Sequence, residues 1–141
     1  MVGAPIAFNA NGSLVAASSV ISFLTAPSPS GFAAGNKVLY KNGVGGVDPF
    51  DGTDSNAHDI VGVSDGTLVA PTGTATYMPV NGSLSSLSPA FAVGTVELYA
   101  QNDGTLCVYS ALISGNYSRR IGSIVNSTQF QLDFGPVFQV P

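Results

Sequence analysis

The densest group of chemically active side chains lies near residue 50. Residues 48–59 read Asp-Pro-Phe-Asp-Gly-Thr-Asp-Ser-Asn-Ala-His-Asp, with four carboxylates and the chain's single histidine, His58. Oxygen-rich loops bind calcium, but this spacing differs from that of the EF-hand loop. His58 and Asp59 could form a base and its orienting carboxylate, yet neighbours on a strand point to opposite faces. We predict a solvated acidic loop with no metal and no catalytic residue, and calcium binding is the alternative.

The other reactive groups favour contact with proteins over catalysis. Cys107 is the only cysteine, so it can form neither an internal disulfide nor a Cys-based zinc site, and its strand-like surroundings predict a buried side chain. Arg119 and Arg120 form the only basic pair, and guanidinium groups suit carboxylates on a partner; a solvated loop without a partner is the alternative. The chain has no nucleophile elbow, P-loop or dinucleotide fingerprint. We therefore expect no enzymatic activity and no cofactor.

The chain carries few charges for its length. Only 9% of its 141 residues are charged, against about 25% in ordinary soluble proteins. A surface so poor in charge suits a protein that is covered by other protein better than it suits a soluble monomer. A small β-protein with an uncharged exterior is the alternative. The net charge of -4 argues against nucleic acid as a partner, and no apolar run is long enough to predict a membrane span.

Short apolar runs between turn residues predict an all-β fold. The chain holds 17 glycines and nine prolines, and Asn42-Gly43, Asn81-Gly82 and Asp103-Gly104 predict tight reversals, with Asp65-Gly66 the strongest hairpin signal. Many short strands indicate one sandwich or barrel domain over residues 1–141. The predicted strands are 6–9, 19–24, 37–41, 60–64, 67–70, 75–80, 96–100, 106–109, 121–125, 129–134 and 138–140.

A nine-residue phrase occurs twice. Residues 32–40 (Phe-Ala-Ala-Gly-Asn-Lys-Val-Leu-Tyr) return as residues 91–99, with five of nine identical at an offset of 59. Asn-Gly-Ser-Leu also occurs at 11–14 and 81–84, and an apolar residue followed by glycine occurs at 61–62 and 121–122. These matches predict repeat units of about 11–80 and 81–141, with an insertion of about eleven residues in the first. The fold prediction is a jelly-roll-like β-sandwich with an internal pseudo-duplication.

We predict that the repeated phrase is purely architectural; the alternative is that it also supplies interface residues. Its Leu-Tyr pair places one side chain on each face of a strand, so the leucine can fill the core while the tyrosine lies at the rim with its hydroxyl in water. Lys37 and Lys41 are four residues apart on one strand and therefore share a face. The predicted partner-interface residues are Lys37, Tyr40, Lys41, Tyr99, Arg119 and Arg120.

Four short motifs carry a family resemblance. They are Gly-Thr-Val-Glu-Leu-Tyr at 94–99, Asn-Asp-Gly-Thr-Leu at 102–106, Arg-Ile-Gly at 120–122 and Gln-Leu-Asp-Phe-Gly-Pro at 131–136. Together they resemble the small β-rich decoration (cement) proteins of tailed-bacteriophage heads, over roughly residues 31–141. Similar phrases occur in phage tail-fibre and head-fibre segments. The resemblance implies a protein without catalytic residues.

The resemblance implies a structural role in the virion. We expect the chain to bind the outside of a phage capsid and to stabilise contacts between major capsid protein subunits, as a homodimer or trimer. A ligand that binds only the assembled state stabilises that state, and many copies multiply a weak contact. Residues 1–10 and 137–141 are candidate arms that could add to a partner's sheet edge. The alternatives are a receptor-binding fibre module of the same virion and a carbohydrate-binding domain.

Overall fold

The computed structural model describes residues 21–54, 59–92, 95–126 and 129–141. Within these ranges the protein is all-β, as predicted, with two single-turn 3-10 helices at Asn102–Gly104 and Tyr109–Ala111. The strand predicted at 6–9, the arm 1–10 and His58 lie outside the described residues. The strands are Leu24–Ser28 (β1), Val38–Lys41 (β2), Val47–Pro49 (β3), Ile60–Ser64 (β4), Gly73–Pro79 (β5), Ser83–Leu84 (β6), Glu97–Ala100 (β7), Leu106–Cys107 (β8), Tyr117–Ser118 (β9), Arg120–Asn126 (β10), Gln129–Leu132 (β11) and Phe138–Gln139 (β12).

The strands form two antiparallel five-stranded sheets. The first sheet has the order β1-β5-β4-β2-β3, and the second has the order β6-β11-β10-β7-β8. If the strands of each sheet are counted along the chain, both orders read first, fifth, fourth, second, third. A small third sheet pairs β12 with β9. Each large sheet comes from one contiguous stretch of chain, so the jelly-roll connectivity, in which strands pass between sheets, is not confirmed.

The second and fourth strands of each sheet pair through the same irregularity. In the first sheet Leu39 lies opposite Gly62 and Tyr40 opposite Ile60, so that Val61 is the extra residue of a bulge. The second sheet repeats this step at the repeated Leu-Tyr, with the pairs Leu98–Gly122 and Tyr99–Arg120.

The glycine in each bulge allows two strands to approach closely. A Cβ atom on Gly62 would overlap the carbonyl oxygen of Met78, and one on Gly122 would overlap the carbonyl oxygen of Gln131. Both would also crowd the aromatic ring of the residue before that carbonyl, Tyr77 or Phe130 respectively. The repeated apolar-glycine pair is therefore a packing requirement of the sheet.

The two sheets share one hydrophobic core. Val38, Ile60, Val63 and Met78 from the first sheet pack in one cluster with residues of the second. The fully buried rings of Phe50 and Phe130 are its largest members, so the fold is sandwich-like. The second sheet contributes Leu84, Leu98, Ala100, Leu106, Ile121, Phe130 and Leu132.

A second, smaller core lies on the other face of the first sheet. Leu39, Val47 and Ala75 cluster there with Val69, which belongs to the β4–β5 connection. Phe32 packs against this cluster and exchanges two backbone hydrogen bonds with Val69, of 2.8 and 2.9 Å. Residues 67–70 therefore form an isolated bridge to Phe32 instead of the predicted strand.

Two local predictions were wrong for identifiable reasons. Asp65-Gly66 does not form a tight hairpin, because β4 pairs with β5, which begins only at Gly73. The Asp65 carboxylate instead accepts hydrogen bonds from the backbone and hydroxyl of Thr67. Residues 19–20 of the predicted strand 19–24 lie outside the described residues, and of residues 21–24 only Leu24 is in a strand, Leu24–Ser28, which contains Pro27. Proline is tolerated there because β1 is an edge strand.

Replacing either bulge glycine with alanine should be costly. We expect Gly62→Ala and Gly122→Ala each to lower the free energy of unfolding by about 3 kcal/mol, because the added methyl meets a backbone carbonyl that cannot rotate away. Urea unfolding followed by circular dichroism measures the change.

Gly115→Ala is the matched control. Gly115 has a φ of 88°, and a methyl group added to it would meet nothing within 4 Å. Its cost of about 1 kcal/mol therefore comes from backbone conformation alone. Equal losses at all three positions would contradict the close-approach explanation.

Candidate interaction surface

The outer face of the second sheet gathers charged and aromatic side chains. On β7, Leu98 and Ala100 are buried in the core, so the alternating residues Glu97 and Tyr99 point outward. Arg120 lies directly opposite Tyr99 in the register of β10 and β7. We call this face the aromatic–ionic surface and define it by Glu97, Tyr99, Tyr109, Arg120, Asp133 and Phe138.

Arg120 is the centre of the ionic part. Its Nη1 lies 3.3 Å from Glu97 Oε2, and its Nη2 lies 3.0 Å from Asp133 Oδ2. The Tyr99 hydroxyl donates to the other Glu97 oxygen at 3.2 Å. The three charged side chains are 33%, 42% and 64% exposed, so water screens their attraction and they add little to folding stability. What the network does is hold the guanidinium and the phenol in fixed positions at the surface.

Three rings form the aromatic part. Tyr99 meets Tyr109 edge to face with centroids 5.3 Å apart, and Tyr109 stacks on Phe138 at 6.1 Å. The rings come from β7, a 3-10 helix and β12, which are separate in the sequence. Tyr109 is 52% exposed, so an amphipathic ring remains available to a partner.

The two tyrosines of the repeated phrase both stay protonated well above neutral pH. Burial raises the pKa of Tyr99, and the negative charge of Glu97 raises it further. Burial also raises the pKa of Tyr40, followed by the carboxylates of Asp48, Asp54 and Asp51. Both hydroxyl groups therefore keep a proton that can be donated, and that of Tyr99 donates to Glu97.

The two neighbouring arginines have different environments. Arg119 donates from Nε to the carbonyl of Gly135 at 2.8 Å, and its guanidinium lies 5.4 Å from the centre of the Phe134 ring. Burial lowers the pKa of Arg119 from its usual value. Arg119 thus anchors the segment after β11, whereas Arg120 presents its charge on the outer face.

The remaining predicted interface residues lie on the first sheet. Lys37 precedes β2, and its backbone donates to Ser64 Oγ at 2.8 Å; Lys41 ends β2 and is exposed. Tyr40 is half-buried and lies opposite Asp48. The structure therefore divides the six predicted residues between two sheets and brings only Tyr99, Arg119 and Arg120 onto the second.

Two of the four described carboxylates of the acidic stretch, those of Asp48 and Asp51, hold local structure through hydrogen bonds. Asp48 accepts hydrogen bonds from the Ser30 backbone at 3.2 Å and from Asn42 Nδ2 at 2.9 Å. Asp51 accepts from the backbone and hydroxyl of Thr53. Across residues 21–54, 59–92, 95–126 and 129–141, no three His, Cys, Asp or Glu side chains are grouped so that they could hold a metal ion.

Sequence reasoning missed four members of this surface. Asp133 had a usable signal, because residues 129–134 alternate polar and apolar and so place the polar ones outward. Glu97 had the same signal within β7. Tyr109 and Phe138 had none, since a 3-10 helix and a terminal strand meet there only through tertiary packing.

The C-terminal tail belongs to the same region of the fold. Phe138 and Gln139 pair with Ser118 and Tyr117, and the Val140 backbone donates to Asn116 at 2.7 Å. In this structure the tail therefore bonds to its own chain, and these bonds would have to break before it could reach a neighbour as an arm.

Comparison of the chain with known proteins gave no match. No protein-family model matches it, and neither the curated proteins nor the solved structures contain a match. In the described part of the chain, no helix has the length and hydropathy needed to cross a bilayer.

Removing the central charge should cost little stability. Arg120→Gln is expected to lower the free energy of unfolding by at most about 1 kcal/mol, because the ion pairs are exposed, and about 1 M NaCl should reduce the difference. Urea titration measures both values. Ile121→Ala, one residue along and fully buried, should cost about 3 kcal/mol. A larger loss for Arg120→Gln than for Ile121→Ala would show that the network holds the fold together.

The raised pKa of the buried Cys107 thiol predicts that the free energy of unfolding falls at alkaline pH. Burial raises its pKa from 9.0 to about 11. The unfolded chain therefore loses the thiol proton at lower pH than the folded protein does. The contribution of the thiol to the free energy of unfolding is fully present below pH 9.0 and is lost as the pH rises through about 11. Cys107→Ala should show a shallower decline than the unchanged protein over that window in urea titrations. Identical slopes would contradict the assignment, and the comparison cancels the shared titration of Tyr40 and Tyr99.

Proposed function

We propose that this protein is a structural component of a tailed-bacteriophage virion that binds the outside of the capsid and stabilises contacts between major capsid protein subunits. The aromatic–ionic surface is the observation that carries the proposal. It combines an exposed tyrosine, Tyr109, with an oriented guanidinium, Arg120. Tyrosine and arginine dominate the energetically important centres of protein interfaces. A homodimer or trimer on the capsid exterior fits this role.

The distribution of charge supports a protein partner. The chain has twelve charged residues, from four Lys plus Arg and eight Asp plus Glu. The Arg120 guanidinium lies 3.3 Å from the Glu97 carboxylate and 3.0 Å from that of Asp133 on one face, and Arg119 precedes Arg120 in sequence. A network of this kind gives orientation and specificity to a docking surface more than it gives affinity. Nucleic acid and membranes are not part of the proposal.

We further propose that the two sheets are copies of one unit. The identical strand order, the identical bulge at Leu-Tyr and the two crowded glycines support this reading. A backbone hydrogen bond also occurs at matching places, from Lys41 to Asp59 at 2.8 Å and from Ala100 to Arg119 at 3.1 Å. A duplicated unit would explain why one phrase is used twice.

The duplication accounts for the polarity of the aromatic–ionic surface. By register, Leu98 and Ile121 of the shared core are the counterparts of Leu39 and Val61, which belong to the outer cluster of the first sheet. The copies therefore stack front to back, like successive repeats. A third unit would have to stack on the outer face of the second sheet. At that face Glu97 and Arg120 stand at the positions that the buried apolar residues Val38 and Ile60 hold in the first sheet. Polar residues end such a stack and leave the face to a different partner.

A carbohydrate-binding role is the second candidate. The cluster of Tyr99, Tyr109 and Phe138 favours it, because exposed rings can stack on sugar faces. A receptor-binding fibre module of the same virion would use this chemistry as well. A glycan array probed with the purified protein separates these two roles from capsid binding.

Co-sedimentation with capsids that lack this protein tests the main proposal. We expect binding, and a higher temperature of capsid opening, because a ligand of the assembled state stabilises it. Tyr109→Ala should weaken binding at least about tenfold, as expected for an interface centre. Because Tyr109 is half exposed, the fold should survive the change.

Val44→Ala is the control for this experiment. Val44 is 80% exposed in the turn between β2 and β3 of the first sheet, so its truncation should leave capsid binding unchanged. A folded protein that fails to sediment with capsids would exclude the decoration role. Equal binding by the Tyr109 and Val44 variants would place the capsid contact elsewhere on the molecule.

A further inference from the structure

An apolar groove opens beside the β10–β11 hairpin of the second sheet. It has a volume of about 470 Å³. Leu87, Phe91, Ile124, Val125 and Phe130 provide most of its apolar wall. None of the residues that line it is charged, so it suits an uncharged segment of polypeptide.

The corresponding place in the first sheet is filled by the chain itself. There Phe32, the counterpart of Phe91, exchanges two backbone hydrogen bonds with Val69, and Gly35 donates to the Gly66 carbonyl at 2.9 Å. Val69 is 7% exposed. Residues 65–70 thus cover the end of the first sheet.

Within the described residues, no segment covers the second sheet in this way. The connection between β4 and β5 spans residues 65–72, whereas the connection between β10 and β11 consists of residues 127–128 alone. Among the described residues, none forms a hydrogen bond with the backbone of Phe91. The groove is therefore the space that residues 65–70 fill in the first sheet.

The chain contains a second copy of the filling sequence. Residues 65–70 read Asp-Gly-Thr-Leu-Val-Ala, and residues 11–16 read Asn-Gly-Ser-Leu-Val-Ala, with four identities and two conservative changes. We propose that residues 11–16 of this chain occupy the groove, with Val15 paired to Phe91 as Val69 is paired to Phe32.

The differences between the two hexapeptides preserve the local chemistry. Asp65 Oδ1 accepts from the Thr67 backbone at 3.0 Å and from its hydroxyl at 2.7 Å. Asn11 has the same acceptor oxygen, and Ser13 has the same two donors. Gly66 has a φ of 99°, a conformation that favours glycine, and glycine also stands at position 12.

The geometry of the chain permits this placement. Phe23 lines a depression that shares Ser86 and Gln129 with the groove. Val15 precedes Phe23 by eight residues, which span up to about 26 Å when extended. Residues 1–20 contain no Asp, Glu, Lys or Arg, which matches the uncharged wall of the groove.

Residues 11–14 also match residues 81–84, but this match does not assign residues 11–14 a position other than the groove. Leu84 lies opposite Phe130, and in the first sheet Leu24 holds that position, opposite Tyr77. The position that this match would assign to Leu14 is therefore already occupied by β1. The continuation Ser85-Ser86 also departs from Val15-Ala16.

A cysteine pair tests the proposal directly in the full chain. In a Cys107→Ala background, Val15→Cys with Phe91→Cys should form an intramolecular disulfide on mild oxidation, because paired antiparallel residues lie about 5.5 Å apart between Cα atoms. Phe32→Cys with Val69→Cys is the positive control, since those residues are paired in the first sheet. Val2→Cys with Phe91→Cys is the negative control. Mass spectrometry and non-reducing electrophoresis read out the bonds.

The pattern of disulfides decides the outcome. A monomer cross-linked between positions 15 and 91, but not between 2 and 91, supports the proposal. A cross-link in the positive control alone overturns it. Dimers linked between positions 15 and 91 would assign the groove to the segment of a neighbouring copy and would overturn docking within one chain.

Hydrogen exchange provides a second readout without cysteines. Val15→Asp should speed exchange of the Phe91 amide at least tenfold while the core amide of Leu98 keeps its protection. Val2→Asp should change neither amide. A Phe91 amide that exchanges freely in the unchanged protein would overturn the proposal. Should Val15→Asp also expose the Leu98 amide, the disulfide pattern alone decides.

Discussion

One layer of apolar side chains between two sheets holds this protein together. Its largest members, Phe50 and Phe130, are fully buried, and both sheets contribute to the same cluster. With one cysteine, the chain has no internal disulfide to add, and its described ion pairs are exposed. Burial of apolar surface is therefore the main source of stability. The bulge glycines matter because they let neighbouring strands approach closely enough to form this layer.

The two outer faces of the sandwich differ for a physical reason. The first sheet is apolar on both faces, and its outer face is covered by Phe32 and Val69 of its own connections. The outer face of the second sheet carries Glu97, Arg120 and their partners. If the sheets are copies that stack front to back, a third copy would have to bury those charges without compensation, at a high cost. Under the proposed duplication, the polar face would limit the stack to two and leave a surface for another kind of partner.

The repeated Leu-Tyr pair divides its side chains between the two faces of a strand. The leucine of each copy enters a core, Leu39 in the smaller cluster and Leu98 in the shared one. The tyrosine that follows lies on the opposite face, and burial with nearby carboxylates keeps its hydroxyl protonated. Strand alternation makes this division automatic. A short sequence can therefore be reused for both packing and display.

The amino-acid sequence by itself determined the all-β class and several elements. Ile60–Ser64 has the predicted bounds, because its apolar run is bounded by polar and turn residues. The reversals at Asn42-Gly43 and Asp103-Gly104 use positive φ angles at Gly43, Asp103 and Gly104, which these residue types tolerate. These features depend on local conformation, which neighbouring residues specify.

Only the tertiary structure decided how the elements combine. The order of strands in each sheet, the division of Arg119 and Arg120 between an anchoring and a displayed role, and the meeting of Tyr109 with Phe138 depend on contacts between distant residues. Sequence periodicity reports which side of a strand is apolar, but not what covers it. For the same reason, only the three-dimensional comparison of the groove beside Phe91 with the filled place beside Phe32 indicates which sequence could occupy the groove.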